Sequence, residues 1–96
     1  MRIVDNPFLE YYNGFWGFAV EGKFTIPPIY DLAFEFSEGL ALVQVGDVWH
    51  FIKTNGEVAI VCGRGHGIKS FRNGKSQISR EDGEFVIYRD GRIERL

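Results

Sequence analysis

A short aromatic strand followed by a glycine turn recurs in this chain of 96 residues, and the repetition restricts the possible folds. Residues 16–20 alternate large and small side chains before Gly22, and residues 48–52 restate residues 15–19 before Gly56. Matching anchors lie 33 to 35 residues apart: Trp16 and Trp49, Gly22 and Gly56, Phe36 and Phe71, Gly39 and Gly74, Gly56 and Gly91. A period of this length is typical of repeated supersecondary units.

The pattern inside each unit indicates β-structure. Side chains of a strand alternate between its two faces, so Trp16, Phe18 and Val20 should share one face. Glycine or proline interrupts every stretch that could keep a helical period. The sequence therefore predicts a single all-β domain over residues 1–96, made of antiparallel hairpin or meander repeats of about 35 residues. Roughly two and a half units are expected, at residues 15–47, 48–83 and, in part, 84–96, after leading strands in residues 1–14. An open array, a sandwich and a partial barrel all fit this pattern.

Glycines mark the predicted hairpin turns. A two-residue turn usually needs positive φ, which glycine adopts without a Cβ clash. The positions predicted to have positive φ are Gly22, Gly56 and Gly91. Pro27-Pro28 is expected to end the strand that returns from Gly22, because neither proline can donate a ladder hydrogen bond.

The two ends of the chain are expected to need partners. Residues 1–4 form a short apolar start that suits an edge strand, and residues 9–12 are predicted to form a strand before the Asn13-Gly14 turn. Repeat units bury their apolar faces against neighbours, and about three units are normally needed. We therefore expect the first and last strands to pair with each other or to contact another molecule.

The first unit resembles the WG-repeat family. Units of that family carry a Trp-Gly-Phe strand, a glycine hairpin, an Ile-Pro-x-Tyr-Asp segment and a Phe-x-x-Gly-x-Ala-x-Val strand. The segments that match are Trp16-Gly17-Phe18, Gly22, residues 26–31 and residues 36–43. The resemblance covers about residues 9–96 and implies a β-repeat array with a binding or scaffolding role and no catalytic residues. Later units depart from the pattern at His50, at residues 62–67 and at Glu84.

Charge and composition argue against several classes of function. A net charge of −2 makes nucleic acid an unexpected partner, because no general electrostatic attraction to phosphates is available. No apolar run approaches the roughly 20 residues that span a membrane, so no membrane contact is expected. The single cysteine, Cys62, cannot form an internal disulfide, and the first residues lack a signal-peptide core. These features predict a cytoplasmic protein.

The segment Cys62-Gly63-Arg64-Gly65-His66-Gly67 is the best candidate for chemistry. Cys62 and His66 could act in nucleophilic catalysis or bind zinc, but zinc needs three or four ligands and only His50 remains as a third. A phosphate-binding loop would need a helix after Gly67, and none is predicted. A glycine-rich connection with a buried cysteine is the preferred interpretation, so no catalytic residue, metal or cofactor is expected.

Exposed rings and breaks in the repeat are the candidate contact residues. Trp16 and Trp49 occupy equivalent positions and are predicted to lie in the core. Tyr30 matches the family pattern and is expected to be structural rather than a contact residue. Tyr11 and Phe15 are predicted to lie on the face opposite Trp16. Arg64 and His66 lie where the repeat fails. The predicted partner-binding residues are Tyr11, Phe15, Arg64 and His66.

These observations favour a non-catalytic protein-binding module, either a small adaptor or an inhibitor of a larger protein. The alternative is a module that binds a small molecule or a carbohydrate through exposed aromatic side chains. A protein partner is expected, and edge strands could also support a homo-oligomer. No acid-base pair or nucleophile constellation stands out, so an enzyme is not expected.

Overall fold

Antiparallel β-strands make up all the regular structure of residues 6–96, which a computed structural model describes. The edge strand expected at residues 1–4 lies outside the described residues. The strands are β1 (Phe8–Tyr12), β2 (Phe15–Val20), β3 (Lys23–Tyr30), β4 (Leu32–Ala33), β5 (Leu40–Val45), β6 (Val48–Lys53), β7 (Val58–Gly63), β8 (Lys75–Arg80), β9 (Gly83–Tyr88) and β10 (Ile93–Arg95). Within residues 6–96 there is no helix long and apolar enough to cross a membrane. The predicted all-β fold is confirmed.

The strands form three separate antiparallel sheets. The first sheet has the order β1-β2-β3, the middle sheet β4-β5-β6-β7, and the last sheet β8-β9-β10. Each sheet contains a three-stranded meander whose central strand is β2, β6 or β9. The first and last strands of the described chain, β1 and β10, therefore belong to different sheets. The expectation that they might pair with each other is wrong, because each meander closes its hydrogen bonds locally.

The three sheets form a stack in which the middle sheet is buried on both faces. Leu40 and Leu42 of β5 belong to a cluster shared with the last sheet, and Ala41 and Val43 to a cluster shared with the first sheet. All four side chains are buried, which explains why β5 lacks the polar alternation of a half-exposed strand. Of the three architectures that the sequence left open, the structure therefore has the open array, with three sheets stacked in a row.

Equivalent aromatic residues pack in the same way in the two clusters. Phe18 lies 4.9 Å from Phe36 between ring centroids, and Phe51 lies 4.6 Å from Phe71. Trp16 and Trp49 pack against the edges of these clusters, as predicted for core positions. The buried Tyr30 also belongs to the cluster of the first sheet. The repeat in the sequence is thus a repeat of side-chain packing.

The predicted hairpin turns have the expected backbone conformation. Gly22, Gly56 and Gly91 have φ values of 80°, 91° and 95°. Asn13 and Gly14 both have positive φ, as a turn of type I′ requires. Local glycine and asparagine positions therefore determine where the meanders turn.

Neighbouring turns of the stack are joined by one acidic side chain. The Glu38 carboxylate accepts hydrogen bonds from the backbone N–H groups of Asn73 and Gly74, 35 and 36 residues further on. The guanidinium of Arg89 donates to the Glu38 carbonyl oxygen. Ser37 Oγ also donates to the Phe71 carbonyl oxygen, at 2.7 Å. These bonds fix the separation of the middle and last sheets at one edge.

Pro27-Pro28 does not end β3, contrary to the expectation. The strand continues to Tyr30 because β3 lies at the edge of its sheet, where an absent N–H group leaves no ladder bond broken. The pairing with β2 is irregular here, and the bulge folds over Gly17. A Cβ atom on Gly17 would lie 2.6–2.8 Å from backbone atoms of residues 26–28. In the middle sheet His50 replaces this glycine and pairs with Val61 in a strand without prolines.

Candidate binding surface

Tyr11 lies on the same face of the first sheet as Trp16, so the prediction that it lies on the opposite face is wrong. The two-residue Asn13-Gly14 turn pairs Tyr12 with Phe15 and therefore Tyr11 with Trp16. Residues paired directly across an antiparallel ladder share a face. The Tyr11 and Trp16 rings are in edge contact, with centroids 4.9 Å apart. Tyr11 remains exposed, and Phe15 is on the opposite face as predicted.

The side of the first sheet that faces away from the middle sheet is rich in exposed aromatic rings. We call it the outer aromatic face, and it consists of Phe8, Tyr12, Phe15 and Phe24. Their exposed fractions are 63%, 62%, 42% and 38%. The rings of Tyr12 and Phe24 lie 6.2 Å apart between centroids. Tyr12 also pairs with Phe15, and Phe8 and Phe24 pair with Ala19 from its two sides, so the four residues are neighbours on one face. Contiguous apolar patches of this kind mark interaction sites more often than scattered rings do.

The last sheet has a polar surface on the side that faces away from the stack. The outward residues of β8 and β9 are Lys75, Gln77, Ser79, Glu84, Val86 and Tyr88, and Glu94 of β10 pairs with Val86 on the same face. Glu84, which replaces the tryptophan of the earlier units, accepts hydrogen bonds from Ser79 Oγ at 2.8 and 2.9 Å. Polar outer faces keep the terminal units of a repeat protein soluble. The two ends of the stack therefore differ: one is aromatic and the other is polar.

Arg64 and His66 lie in the connection from the middle sheet to the last sheet. The Arg64 guanidinium forms an exposed ion pair with Asp47, with 3.0 Å between Nε and Oδ2. The backbone of His66 exchanges two hydrogen bonds with Ser79, so this residue continues the ladder of the last sheet. Trp49 Nε1 donates to the Gly65 carbonyl oxygen at 3.2 Å. The glycine-rich segment is thus part of the packing between two sheets.

Cys62 is enclosed by the hydrophobic cluster of the middle and last sheets. Burial raises the pKa of the Cys62 thiol to about 12, and the nearby positive charge of Arg80 only partly opposes this shift. The thiolate is the nucleophilic form of cysteine, so this thiol is poorly suited to react. Residues 6–96 contain no group of three or more His, Cys, Asp or Glu side chains that could hold a metal ion.

The four predicted contact residues occupy two places in the fold. Tyr11 and Phe15 belong to the first sheet, whereas Arg64 and His66 belong to the connection after β7. The sequence analysis missed Phe8, Tyr12 and Phe24. A comparison of equivalent positions in the sequence could have indicated part of the outer aromatic face. Phe15 corresponds to Val48 and Gly83 in the later units, so only the first unit has an aromatic ring at this position.

One comparison with known proteins identifies part of the chain. Residues 20–49 match the family model described as WG containing repeat. The match spans the Gly22 hairpin, the Pro27-Pro28 bulge and β5, and it ends at Trp49. No curated protein and no solved structure matches the chain. The family model thus confirms the resemblance that the motifs of the first unit indicated.

Proposed function

We propose that this WG-repeat chain is a non-catalytic protein-binding module that acts as a small adaptor or as an inhibitor of a larger protein. The observation that carries the proposal is the outer aromatic face of the first sheet. Its four rings are between 38% and 63% exposed although the same chain buries other rings completely. A repeat protein of this family is expected to work through contact, and this face carries four of the six exposed aromatic side chains of residues 6–96.

The contrast between the two ends of the stack supports this proposal. The outward face of the last sheet carries Lys75, Gln77 and Glu84, so the fold tolerates polar residues at an end. Aromatic rings at the other end therefore serve something other than the stability of the stack. Aromatic residues are enriched at protein interfaces, where a few of them supply most of the binding energy.

The predicted contact residues Tyr11 and Arg64 remain part of the proposal. Tyr11 is exposed at the same hairpin as Phe15, although its side chain lies on the other face of the first sheet. Arg64 is exposed and is held only by a surface ion pair with Asp47, which costs little to rearrange. His66 is exposed in the same connection. A partner large enough to contact two neighbouring sheets could use both groups.

The proposed absence of catalysis draws support from Cys62. Its thiol pKa of about 12 keeps it protonated at neutral pH, and the surrounding cluster shields it from substrates. The cytoplasm is the location that we propose, because a lone cysteine suits a compartment in which thiols stay reduced. Cell fractionation that recovers the protein outside the cytoplasm would contradict this location.

Affinity capture with matched variants tests the protein-binding function. The wild-type chain and the variants Phe15→Ala, Tyr11→Ala and Arg64→Ala are immobilised, and the proteins captured from native lysate are identified by mass spectrometry. Val61→Ala is the control, because Val61 is an exposed apolar residue of β7 outside the proposed surface. We expect a specific partner whose affinity falls about tenfold or more in at least one of the three variants and is unchanged in the control.

One result would count against the named residues and another against the function. Equal capture by all correctly folded variants would exclude the named residues as contacts. Absence of any specific partner, together with a sugar or small molecule that raises Tm, would favour the alternative ligand-binding module.

A further inference from the structure

We infer that a groove beside the last sheet binds an acidic segment of a protein partner. The inference rests on the proposed protein-binding function and names the chemistry of what is bound. The groove lies between the connection before β8 and the outer face of the last sheet, and it encloses about 760 Å³. We call it the cationic groove, because its lining includes Lys69, Arg72 and Lys75 but no Asp or Glu.

Equivalent positions of the middle sheet carry no charge. The residues 35 positions before Lys69, Arg72 and Lys75 are Phe34, Ser37 and Leu40. The last sheet ends the stack, and polar residues of either sign would keep such an end soluble. Solubility therefore explains why polar side chains replace apolar ones here. It does not explain three positive charges together in a chain whose net charge is −2.

Two of the three charges are held side by side by the backbone. Arg72 and Lys75 exchange two hydrogen bonds across the Asn73-Gly74 turn, with N–O distances of 2.9 and 3.1 Å. Residues paired in this way place their side chains on the same face, with Cβ atoms roughly 4.5–5.5 Å apart. Like charges in such a pair destabilise a sheet. The fold therefore maintains a repulsion that a bound anion would relieve.

Acidic residues near the groove are engaged with other groups. Glu38 binds the Asn73-Gly74 turn, but its carboxylate oxygens accept backbone N–H groups there and one lies 3.9 Å from Arg89. On the outer face of the last sheet, Glu84 accepts hydrogen bonds from a serine hydroxyl and Glu94 pairs with an arginine. Within residues 6–96, the three basic residues of the cationic groove form no ion pair, whereas five basic residues elsewhere do.

The remaining lining of the groove suits a peptide better than a nucleic acid. Val86 and Leu96 offer apolar atoms, and Ser70 and Gln77 offer hydrogen-bonding groups beside the charges. Proteins that bind single-stranded nucleic acid stack the bases on accessible rings. The ring in this lining belongs to Phe71, which is only 1% exposed. A segment that carries both acidic and apolar side chains therefore matches the groove.

Fluorescence anisotropy on the full chain, with a labelled peptide that alternates glutamate and leucine, tests the inference. The same peptide with glutamine in place of glutamate is the uncharged probe, and we expect only the acidic peptide to bind. Lys69→Gln, Arg72→Gln and Lys75→Gln should each weaken its binding about threefold, as expected for exposed ion pairs. Binding should also weaken as NaCl rises from about 20 mM to about 200 mM, because salt screens exposed charges.

Lys23→Gln is the matched control for these variants. Lys23 is an exposed lysine of the first sheet, outside the cationic groove, and it has no ion pair among the residues that the structure describes. Its replacement makes the same change in net charge, so an unchanged affinity would show that position matters as well as charge. Circular dichroism melts establish that each variant is folded.

An acidic peptide that does not bind overturns the inference, as does one that binds equally well to the wild type and to all three groove variants. Single-stranded DNA that binds more tightly than the peptide, with the same dependence on Lys75, overturns the proposed chemistry. Failure of the peptide, while a protein is still captured from lysate through Phe15, overturns the inference but leaves the proposed function standing. Failure of both rejects both.

Discussion

Replacing Gly17 with alanine should destabilise the first sheet through one added methyl group. The new Cβ atom would lie 2.6 Å from the Ile26 carbonyl oxygen, 2.7 Å from the Pro28 nitrogen and 2.8 Å from the Pro27 carbonyl carbon. All three are backbone atoms, so no side-chain rotation can relieve the contact. The bulge must move away from β2 or the two strands must separate.

The expected cost follows from two opposing effects. Inserting a methyl group into a tightly packed site typically costs about 1–3 kcal/mol. Alanine reduces the freedom of the unfolded chain, which offsets about 0.4–1 kcal/mol where the native backbone suits it. We therefore expect a net loss of roughly 1–2 kcal/mol, which lowers Tm by roughly 5–15 °C in a domain of this size.

Thermal unfolding followed by circular dichroism measures this loss, and His50→Ala is the matched control. His50 occupies the equivalent position of the middle sheet, where the facing strand has no prolines and the backbone already accepts a side chain. The control should shift stability by less than about 1 kcal/mol. A Gly17→Ala protein that melts within the error of the wild type would refute the idea that the bulge presses on Gly17.

Three further predictions use the same melting assay or simple labelling. Gly56→Val should cost about 1–3 kcal/mol, because a β-branched residue is poorly tolerated at the φ of 91° found there; an unchanged Tm would contradict this. Glu38→Ala should cost about 1 kcal/mol through the lost bonds to Asn73 and Gly74, whereas equal stability would show that solvent replaces them. Cys62 should resist iodoacetamide at pH 8 in the native state and react once guanidinium unfolds the chain. Because burial raises the pKa of Cys62 from 9.0 to about 12, the native state holds the thiol proton more tightly than the unfolded chain does. The resulting contribution to the free energy of unfolding is complete below pH 9 and should be lost as the pH rises towards about 12. Rapid native labelling would disprove this environment.

The turns and the repeated strands could be predicted from the sequence because local residues determine them. The glycines Gly22 and Gly56 indicate the positive φ that each hairpin turn needs, and this requirement does not depend on the surrounding sheets. The course of β3 could not be predicted in the same way. Whether Pro27-Pro28 ends a strand depends on its place at a sheet edge and on the space above Gly17, and both arise only when the sheet is assembled.

The candidate surface was predicted only in part for a related reason. Phe15 was placed on the correct face by alternation along its own strand, but the face of Tyr11 depends on the register across the Asn13-Gly14 turn. Phe8 and Phe24 resemble ordinary strand residues in the sequence. The exposure of Phe8 follows from the number of sheets in the stack, because Ala41, which pairs with Ile52 as Phe8 pairs with Ala19, is covered in the middle sheet.

The burial of β5 on both faces determines how the native structure can open. Leu42 and Val43 are neighbours in the chain but contribute to different hydrophobic clusters, which have no buried residue in common. Either end sheet can therefore separate transiently while the packing of the other persists, as nearest-neighbour stacks permit. Opening would begin at the two ends and reach the middle sheet last, so the backbone amides of β5 and β6 should exchange with solvent only on global unfolding.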